Sequence, residues 1–440
     1  MIKVFPITLR NIVNLHRLYS TSKLYIPYNQ TSETYVIVEP FVDLENQLKN
    51  INALKHNVRL RGLNINVENI HEKWPSFQHI RNNIVRLNLE KQNLTEKLKT
   101  KKYNETEIKQ IIESRRSIST ELQQLREQIS VLEKELVIPS LSIPNNLHPD
   151  CPVVETRILQ QYDGKSNFNA NKLNHIDIGN ALGCLDYKNS VMVYLMNEAA
   201  LFEIATLTYF KDSLESLDFI PLCNSDMVKS LIIEGCGLDY TNHDATLKLS
   251  EQNLHLVGGA SLQSFCALLT KQIIAGNKLP LKLYASGRSY KLPNNSIGLF
   301  STVQTNAVNL LIGSVDEHQS KDQFDKMISI YKMLYDEIGL NYRIIYLPVS
   351  KLDNWECLRA QIEVYSINSQ EYQPVGTLSL SDSYISKRLR MYYSGKDKKN
   401  NFLHILNGKI VDTNVLLGCL LEYDVKQLHV PNCIKKHMIL

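Results

Sequence analysis

Two stretches of apolar residues, recurring at steps of three and four, predict the first structural element of this chain. The first stretch follows Ser76, and its apolar positions are Ile80, Ile84, Leu87, Leu94 and Leu98, with Lys91 out of pattern. The second stretch runs through Ile108, Ile111, Arg115, Ile118, Leu122, Leu125, Ile129, Leu132 and Leu136, and Arg115 is its one polar position. Such narrow seams need a partner to be buried. Because residues 99–106 form a short polar connection, the sequence predicts an antiparallel two-helix coiled coil, an arm about 40 Å long for roughly 28 residues per helix.

Three prolines follow the arm. Pro139, Pro144 and Pro149 are expected to end the second helix and to begin an extended linker. Beyond them, residues 199–209 and 322–338 have helical patterns, and residues 342–349 and 361–367 have strand patterns. Runs of both kinds indicate a mixed α/β or α+β domain of about 300 residues around one core.

The N-terminus has a different composition from the rest of the chain. No acidic residue precedes Glu33, while Lys3, Arg10, Arg17 and Lys23 alternate with apolar residues, and residues 20–22 read Ser-Thr-Ser. This pattern is typical of a mitochondrial transit peptide, and an ordinary basic tail is the alternative. Arg17-Leu18-Tyr19-Ser20 also resembles a site cut by matrix processing peptidases. The sequence therefore predicts a transit peptide at 1–19, an N-terminal domain with the arm at 20–137, a core domain at 138–440 and a location in the mitochondrial matrix.

The charge balance limits nucleic-acid binding to a local surface. The chain has 49 Lys and Arg against 45 Asp and Glu, a formal charge of +4, and removing the three bases of residues 1–19 leaves +1. The candidate surface is the arm tip, defined as Lys99, Lys101 and Lys102 with Tyr103 beside them, where lysines could follow phosphates and the ring could stack on a base. A solvated coiled-coil surface is the alternative, because glutamates are interleaved with the bases along the arm.

Metal and membrane chemistry have no clear signal in the sequence. The eight cysteines include no Cys-x-x-Cys pair, and the histidines form no His-Glu-x-x-His motif, so we expect free thiols, no metal site and no cofactor. No run of about 18 apolar residues occurs, so no insertion into a membrane is expected.

Four segments behind the arm resemble the seryl-tRNA synthetase family, in the family's order. They read IPNNLHPDCP at 143–152, HIDIG at 175–179, LGCLDY at 182–187 and LHILNG at 403–408, the last resembling the start of class II motif 3. The resemblance implies an α+β fold, in which the N-terminal two-helix arm precedes a class II catalytic domain with an antiparallel sheet flanked by helices. It also implies dimerisation through that domain.

The same resemblance locates the family's site residues, and most of them differ here. Arg288 matches the motif 2 arginine that grips the ATP α-phosphate, although a structural strand-end arginine is the alternative. At six positions the resemblance implies that the family residue has been replaced. Ser261 and Asn309 occupy the places of two glutamates that bind the substrate serine, and Tyr290 and Thr305 occupy the places of the glutamate and the aromatic residue that contact adenine. Pro374 occupies the place of a glutamate near the metal, and Val415 that of the motif 3 arginine.

These losses predict a protein without catalytic activity. Each missing charge-assisted hydrogen bond costs about 1.5 to 3 kcal/mol. Two acceptors for the serine ammonium, one metal ligand and one phosphate arginine together are worth roughly 6 to 12 kcal/mol. The order of motifs and the altered site resemble the seryl-tRNA synthetase-like insect mitochondrial protein group.

Three functions remain open from the sequence. The favoured one is an inactive, regulatory subunit of mitochondrial translation that forms a heterodimer with the working mitochondrial seryl-tRNA synthetase. The second is a free-standing mitochondrial protein that binds tRNA or another nucleic acid through the arm. The third is a divergent but active serine-tRNA ligase.

Overall fold

The computed structural model describes residues 22–25, 38, 40–100, 104–164, 173–242, 246–249, 253–395 and 399–438. Their α-helices are α1 (Leu44–Leu48), α2 (Ile51–Leu60), α3 (Val67–Thr100), α4 (Glu105–Leu132), α5 (Ile138–Ser140), α6 (His175–Ala181), α7 (Asn197–Glu215), α8 (Ser230–Gly235), α9 (Leu262–Leu269), α10 (Glu317–Ile338), α11 (Tyr384–Leu389), α12 (Thr413–Leu421) and α13 (Asn432–Lys435). Their strands are β1 (Arg157–Tyr162), β2 (Leu185–Tyr187), β3 (Val193–Leu195), β4 (Ile220–Leu222), β5 (Met227–Lys229), β6 (Leu247–Lys248), β7 (Leu254–Leu256), β8 (Ile273–Ala275), β9 (Leu281–Tyr290), β10 (Gln304–Ser314), β11 (Tyr342–Tyr346), β12 (Leu358–Ser366), β13 (Glu371–Asp382), β14 (Tyr392–Ser394), β15 (Asn400–Phe402) and β16 (His404–Asp412).

The long helices α3 and α4 form the predicted arm. Leu87 of α3 is buried against Ile118 and Leu122 of α4, whereas Ile84, one turn earlier, also reaches the cluster at the arm base that contains Ile129. Residues near the start of α3 therefore meet residues near the end of α4, as an antiparallel pair requires. The predicted heptad seam is confirmed.

At the arm base, helix α3 begins earlier than predicted. Helix α3 begins at Val67 and continues through Pro75, because Val67 and Ile70 are each only 1% exposed in the cluster at the arm base. Burying two such side chains gains about 3 to 6 kcal/mol, which offsets the roughly 3 kcal/mol that an internal proline costs. The second helix ends next to Pro139, as expected. A π-helical turn at Glu133–Val137 leads into α5, which contains Pro139 and ends at Ser140.

The core domain is built on one large sheet. Eight strands lie in the order β1-β11-β12-β13-β16-β10-β9-β4, and every adjacent pair is antiparallel except β9 with β4. Helices α7, α10 and α12 pack on one face of this sheet and bury aromatic and aliphatic side chains such as Phe210, Tyr335 and Leu416. Because a sheet of antiparallel strands is flanked by helices, the predicted α+β class is confirmed. No helix of the described residues is both long and apolar enough to span a membrane.

His175, the first residue of the HIDIG segment at 175–179, is hydrogen-bonded to Glu422 at the end of α12. His175 accepts the Leu299 N–H at its Nε2 atom (3.0 Å), so its Nδ1–H donates to Glu422 Oε1 at 2.9 Å. The other Glu422 oxygen accepts the Ser366 hydroxyl (2.6 Å) and the Asn368 N–H (3.1 Å). His175 and Glu422 are 2% and 1% exposed, so this network lies inside the core and ties α6, α12 and β12 together.

Candidate functional site

The face of the sheet opposite α10 is polar. In antiparallel strands, directly paired residues point to the same face. Asn309 of β10 pairs with Lys409 of β16, which pairs with Thr377 of β13, which pairs with Gln361 of β12. A second row on the same face lies two residues further along each strand and contains Asn407, Ser379 and Arg359. Asn309, Asn407 and Ser379 are buried although they are polar, and the other side chains of the two rows are half-buried, so this face is the candidate site.

A cavity of about 200 Å³ lies over this face. Its floor contains Asn309, Thr377, Asn407 and Lys409. The rest of its lining comes from α8 and the residues after it, from β6, from the end of β7, from the start of α9 and from the end of β9: Ile233, Leu238, Thr246, Leu247, Leu256, Val257, Ser261, Leu262, Gln263, Ser289, Tyr290, Lys291 and Leu292. We refer to this cavity as the pocket. No Asp or Glu side chain is among the described residues that line it.

The two predicted serine-side positions both reach the pocket, but they differ in their hydrogen bonds. Ser261 is the N-cap of α9: its Oγ accepts the Ser264 N–H at 3.3 Å and lies 2.7 Å from the Gly258 carbonyl oxygen. Asn309 donates its Nδ2–H to the Ala260 carbonyl oxygen at 2.7 Å. The Asn309 Oδ1 atom is buried and has no donor among the described residues. Ser261 is therefore occupied as a helix cap, whereas Asn309 still has an unused acceptor.

Beside the pocket lies a group of charges that the sequence analysis missed, the lysine–aspartate cluster of Lys291, Lys409 and Asp412. Asp412 Oδ2 is 3.5 Å from Lys291 Nζ and 3.4 Å from Lys409 Nζ. Its Oδ1 atom accepts the Thr305 hydroxyl at 2.7 Å and the Val415 N–H at 3.4 Å. Burial tends to raise the pKa of Asp412, but the two lysines and these hydrogen bonds outweigh it and lower that pKa. Burial lowers the pKa of Lys409, opposed mainly by Asp412.

The spacing of this cluster explains why it was missed. Lys291 and Asp412 are far apart in the sequence and meet only because β9, β10 and β16 are neighbours in the sheet. The available signal was Lys409 and Asp412, three residues apart where a strand ends and a helix begins. The cation that lines the pocket here is Lys409 of strand β16, whereas Val415, 1% exposed in α12, faces the core.

The remaining predicted positions are spread around the pocket. Tyr290, at the end of β9, lines the pocket. Thr305 is buried and donates its hydroxyl to Asp412. Pro374 pairs with Glu363 at a bulge, so it lies on the same face as Thr377, but it is exposed and does not line the pocket. The Arg288 side chain on β9 is also exposed, and no ion pair joins it to another described residue.

The described residues around the pocket do not fit a magnesium ion. A bound Mg²⁺ needs oxygen ligands, usually one or two carboxylates together with phosphates. Pro374 offers no ligand, and the nearby Asp412 carboxylate is already engaged by two lysines, a hydroxyl and a backbone N–H. Among the described residues, no group of three His, Cys, Asp or Glu side chains is placed to hold a metal ion.

Only one residue of the arm tip can be placed. Lys99 is exposed in the last turn of α3. Lys101, Lys102 and Tyr103 lie outside the described residues, and α4 begins after them with a capping box in which the Asn104 N–H donates to Glu107 Oε2 at 3.0 Å. The predicted nucleic-acid surface stays a prediction.

Comparison with known proteins agrees with this architecture. Residues 247–424 match the tRNA synthetase class II core domain (G, H, P, S and T). The Drosophila melanogaster serine–tRNA synthetase-like protein Slimp is 26% identical over 418 residues, covering 92% of this chain and 89% of that protein. The mouse mitochondrial serine–tRNA ligase is 23% identical over 325 residues, covering 70% of this chain and 62% of that protein.

Solved structures show the same fold. The seryl-tRNA synthetase of Pyrococcus horikoshii, solved with ATP, has a TM-score of 0.78 at 18% identity and covers 90% of this chain and 98% of its own. The cytoplasmic serine-tRNA ligase of Naegleria fowleri, solved with AMP, has a TM-score of 0.74 at 17% identity and covers 88% of this chain and 94% of its own. This chain therefore carries a class II tRNA synthetase core domain and has the fold of the seryl-tRNA synthetases.

Proposed function

We propose that this protein is a synthetase-like protein without catalytic activity that acts by binding in mitochondrial translation. The observation that carries the proposal is the chemistry of the pocket. Serine activation places a substrate ammonium and a metal ion against the protein, and each needs an anionic acceptor when water is excluded. The described lining of the pocket has amide, hydroxyl and ammonium groups instead.

The size of the effect supports an inactive site rather than a slow one. Losing two ammonium acceptors, a metal ligand and a phosphate arginine removes roughly 6 to 12 kcal/mol of transition-state stabilisation, on the order of 10⁴-fold or more in rate. Lys291 and Lys409 share the Asp412 carboxylate and leave one positive charge in excess, and this charge replaces neither the two ammonium acceptors nor the metal ligand. Arg288 alone supplies one cation and no acceptor.

Serine-dependent exchange of pyrophosphate into ATP tests this proposal directly. The purified chain should give no exchange above the no-enzyme blank, with an active seryl-tRNA synthetase as the positive control. A chain denatured by heat and an Arg288→Ala variant should give the same blank value. Serine-dependent exchange that disappears in the Arg288→Ala variant would show a working, divergent ligase.

We also propose that residues 1–19 direct the protein to the mitochondrial matrix. The acid-free, basic N-terminus supports this location, as does the similarity to a mitochondrial ligase of the mouse. A fluorescent protein fused after residue 32 should enter mitochondria, and Edman sequencing of the imported product should begin at Ser20. The same fusion with Arg10→Glu and Arg17→Glu should stay outside, because a transit peptide depends on its positive charge. Equal import of both fusions would contradict the proposal.

The proposed partner is the active mitochondrial seryl-tRNA synthetase, and the free edge of the large sheet is the surface that supports it. Strand β4 is an outer strand of that sheet. Ile220 of β4, Leu268 of α9 and Ile273 of β8 are 51%, 50% and 56% exposed and line one groove of about 630 Å³. An open strand edge beside exposed apolar side chains favours pairing with another chain.

Co-expression with the active synthetase, followed by size-exclusion chromatography, tests the partnership. A mixed dimer is expected, and Ile220→Asp should weaken it at least 10-fold because the substitution puts a charge into a buried contact. Met333→Asp is the matched control, since Met333 is equally exposed (51%) on α10, away from β4. Two separate homodimers, or equal effects of the two substitutions, would rule out a heterodimer through this surface.

A further inference from the structure

The pocket has an acceptor that no described residue uses. Asn309 is 5% exposed, its Nδ2–H is bonded to the Ala260 carbonyl oxygen, and its Oδ1 atom is buried without a donor. Leaving a buried polar atom unpaired destabilises a protein. Other described side chains, such as Ser314 and Ser320, also have such an atom, but among the described side chains that line the pocket Asn309 is the one that does. A ligand that brings a neutral O–H donor into the pocket would satisfy this atom.

The positive charge next to Asn309 determines which second group the ligand should have. Lys409 is the direct partner of Asn309 across the β10–β16 ladder, and paired side chains of this kind have Cβ atoms about 5 Å apart. Lys409 and Lys291 share a single carboxylate, that of Asp412, so the lysine–aspartate cluster has one positive charge in excess. The lysine–aspartate cluster therefore favours a ligand that has an anionic group next to the O–H donor bound by Asn309. The same excess charge disfavours a ligand with an ammonium group at Asn309.

The volume of the pocket favours a compact ligand at Asn309 and Lys409. At about 200 Å³ the pocket is smaller than the roughly 300 Å³ at which typical small-molecule sites begin. A second cavity of about 490 Å³ adjoins it at Leu256 and Tyr290, but Asn309 and Lys409 do not line that cavity. We propose that it binds a small hydroxycarboxylate, with the carboxylate on the lysine–aspartate cluster and a hydroxyl donating to Asn309 Oδ1. This inference goes beyond the proposed function, and it holds or fails whether or not the chain has a synthetase partner.

Glycerate and serine form a matched pair of probes, because they differ only in a hydroxyl or an ammonium group on the same carbon. Isothermal titration calorimetry of the full chain should show glycerate binding at least 10-fold more tightly than serine. Lys409→Met should weaken glycerate binding at least 10-fold. Lys332→Met is the control, because Lys332 lies on α10, behind the sheet, and should leave binding unchanged.

A second variant tests the acceptor itself. Asn309→Asp turns the neutral acceptor into an anion, so it should weaken glycerate binding and reverse the preference in favour of serine. Thermal unfolding checks that each variant is folded, and Lys409→Met keeps the proposal testable if Asn309→Asp does not fold. Equal binding of glycerate and serine, no binding of either, or binding that ignores Lys409→Met would overturn the proposal. Inorganic phosphate is the third probe, and phosphate that binds as tightly as glycerate, with no effect of Asn309→Asp on either, would show an anion site without selection for a hydroxyl.

Discussion

The buried His175–Glu422 pair gives the sharpest test of what holds this core together. Replacing Glu422 by Gln keeps the shape of the side chain but turns one acceptor oxygen into an amino group. If that amino group faces His175, the ring must shift its proton to Nε2, which then opposes the Leu299 N–H. If it faces the other way, it opposes the Asn368 N–H. Either orientation leaves a buried donor without an acceptor.

The cost follows from the burial of both partners. Glu422 and His175 are 1% and 2% exposed, so solvent cannot replace the lost bond. Leaving a buried donor without an acceptor costs about 1 to 3 kcal/mol. At about 2 °C per kcal/mol for a large domain, we expect the Tm of the core domain to fall by about 2 to 6 °C in Glu422→Gln.

Differential scanning calorimetry measures this change, with Glu371→Gln as the matched control. Glu371 is an exposed residue at the start of β13, so the same chemical change should move the Tm by about 1 °C or less. A Tm loss in Glu422→Gln no larger than in the control would refute the argument that this network stabilises the core.

Three further predictions concern charges and thiols. Asp412→Asn should destabilise the protein by about 3 kcal/mol in urea unfolding at pH 7, because two lysines lose their anion. Since the lysines lower the pKa of Asp412, its contribution is complete above the usual aspartate pKa, so the difference should shrink only as the pH falls below about 4; a constant difference at all pH values would contradict this. Iodoacetamide at pH 8 should label the exposed Cys223 well before Cys151, whose pKa burial raises to about 11, and mass spectrometry of labelled peptides would detect the opposite order. Charge reversal of the three arm-tip lysines should weaken RNA binding and flatten its dependence on salt in filter assays, whereas unchanged binding would leave the arm a solvated coiled coil.

Local patterns predicted the parts of the fold in which neighbours in sequence are neighbours in space. The arm followed from heptad spacing, and Leu87, Ile118 and Leu122 are buried as expected. Helix α10 and strand β12 lie where their periodicity placed them, with ends shifted by up to five residues. The start of α3 was missed because Pro75 reads as a helix start, whereas packing at the arm base extends the helix by eight residues before it.

The site was predictable only as a set of losses. Residue types at Ser261, Asn309 and Pro374 could be compared with a family motif without knowing the sheet. The contacts of Lys291 and Asn309 could not be predicted in this way. Lys291 meets Asp412 only because of the order of the strands, and the hydrogen bonding of Asn309 depends on the position of the Ala260 carbonyl group. Contacts between distant strands decide these features, and no local pattern encodes them.

Most of the positions at which the sequence predicts a lost family residue have structural contacts, and this bears on what the pocket can bind. Ser261 caps α9, Thr305 bonds Asp412, and Val415 is buried in the core next to the same carboxylate. Active sites keep polar groups unpaired for their substrates, at a cost in stability, so internal partners at these positions remove both the cost and the function. Asn309 differs, since its Oδ1 atom remains buried and unpaired by any described residue. Among the described side chains that line the pocket, Asn309 is the one with such an atom, which is why we expect Asn309 to contact a ligand.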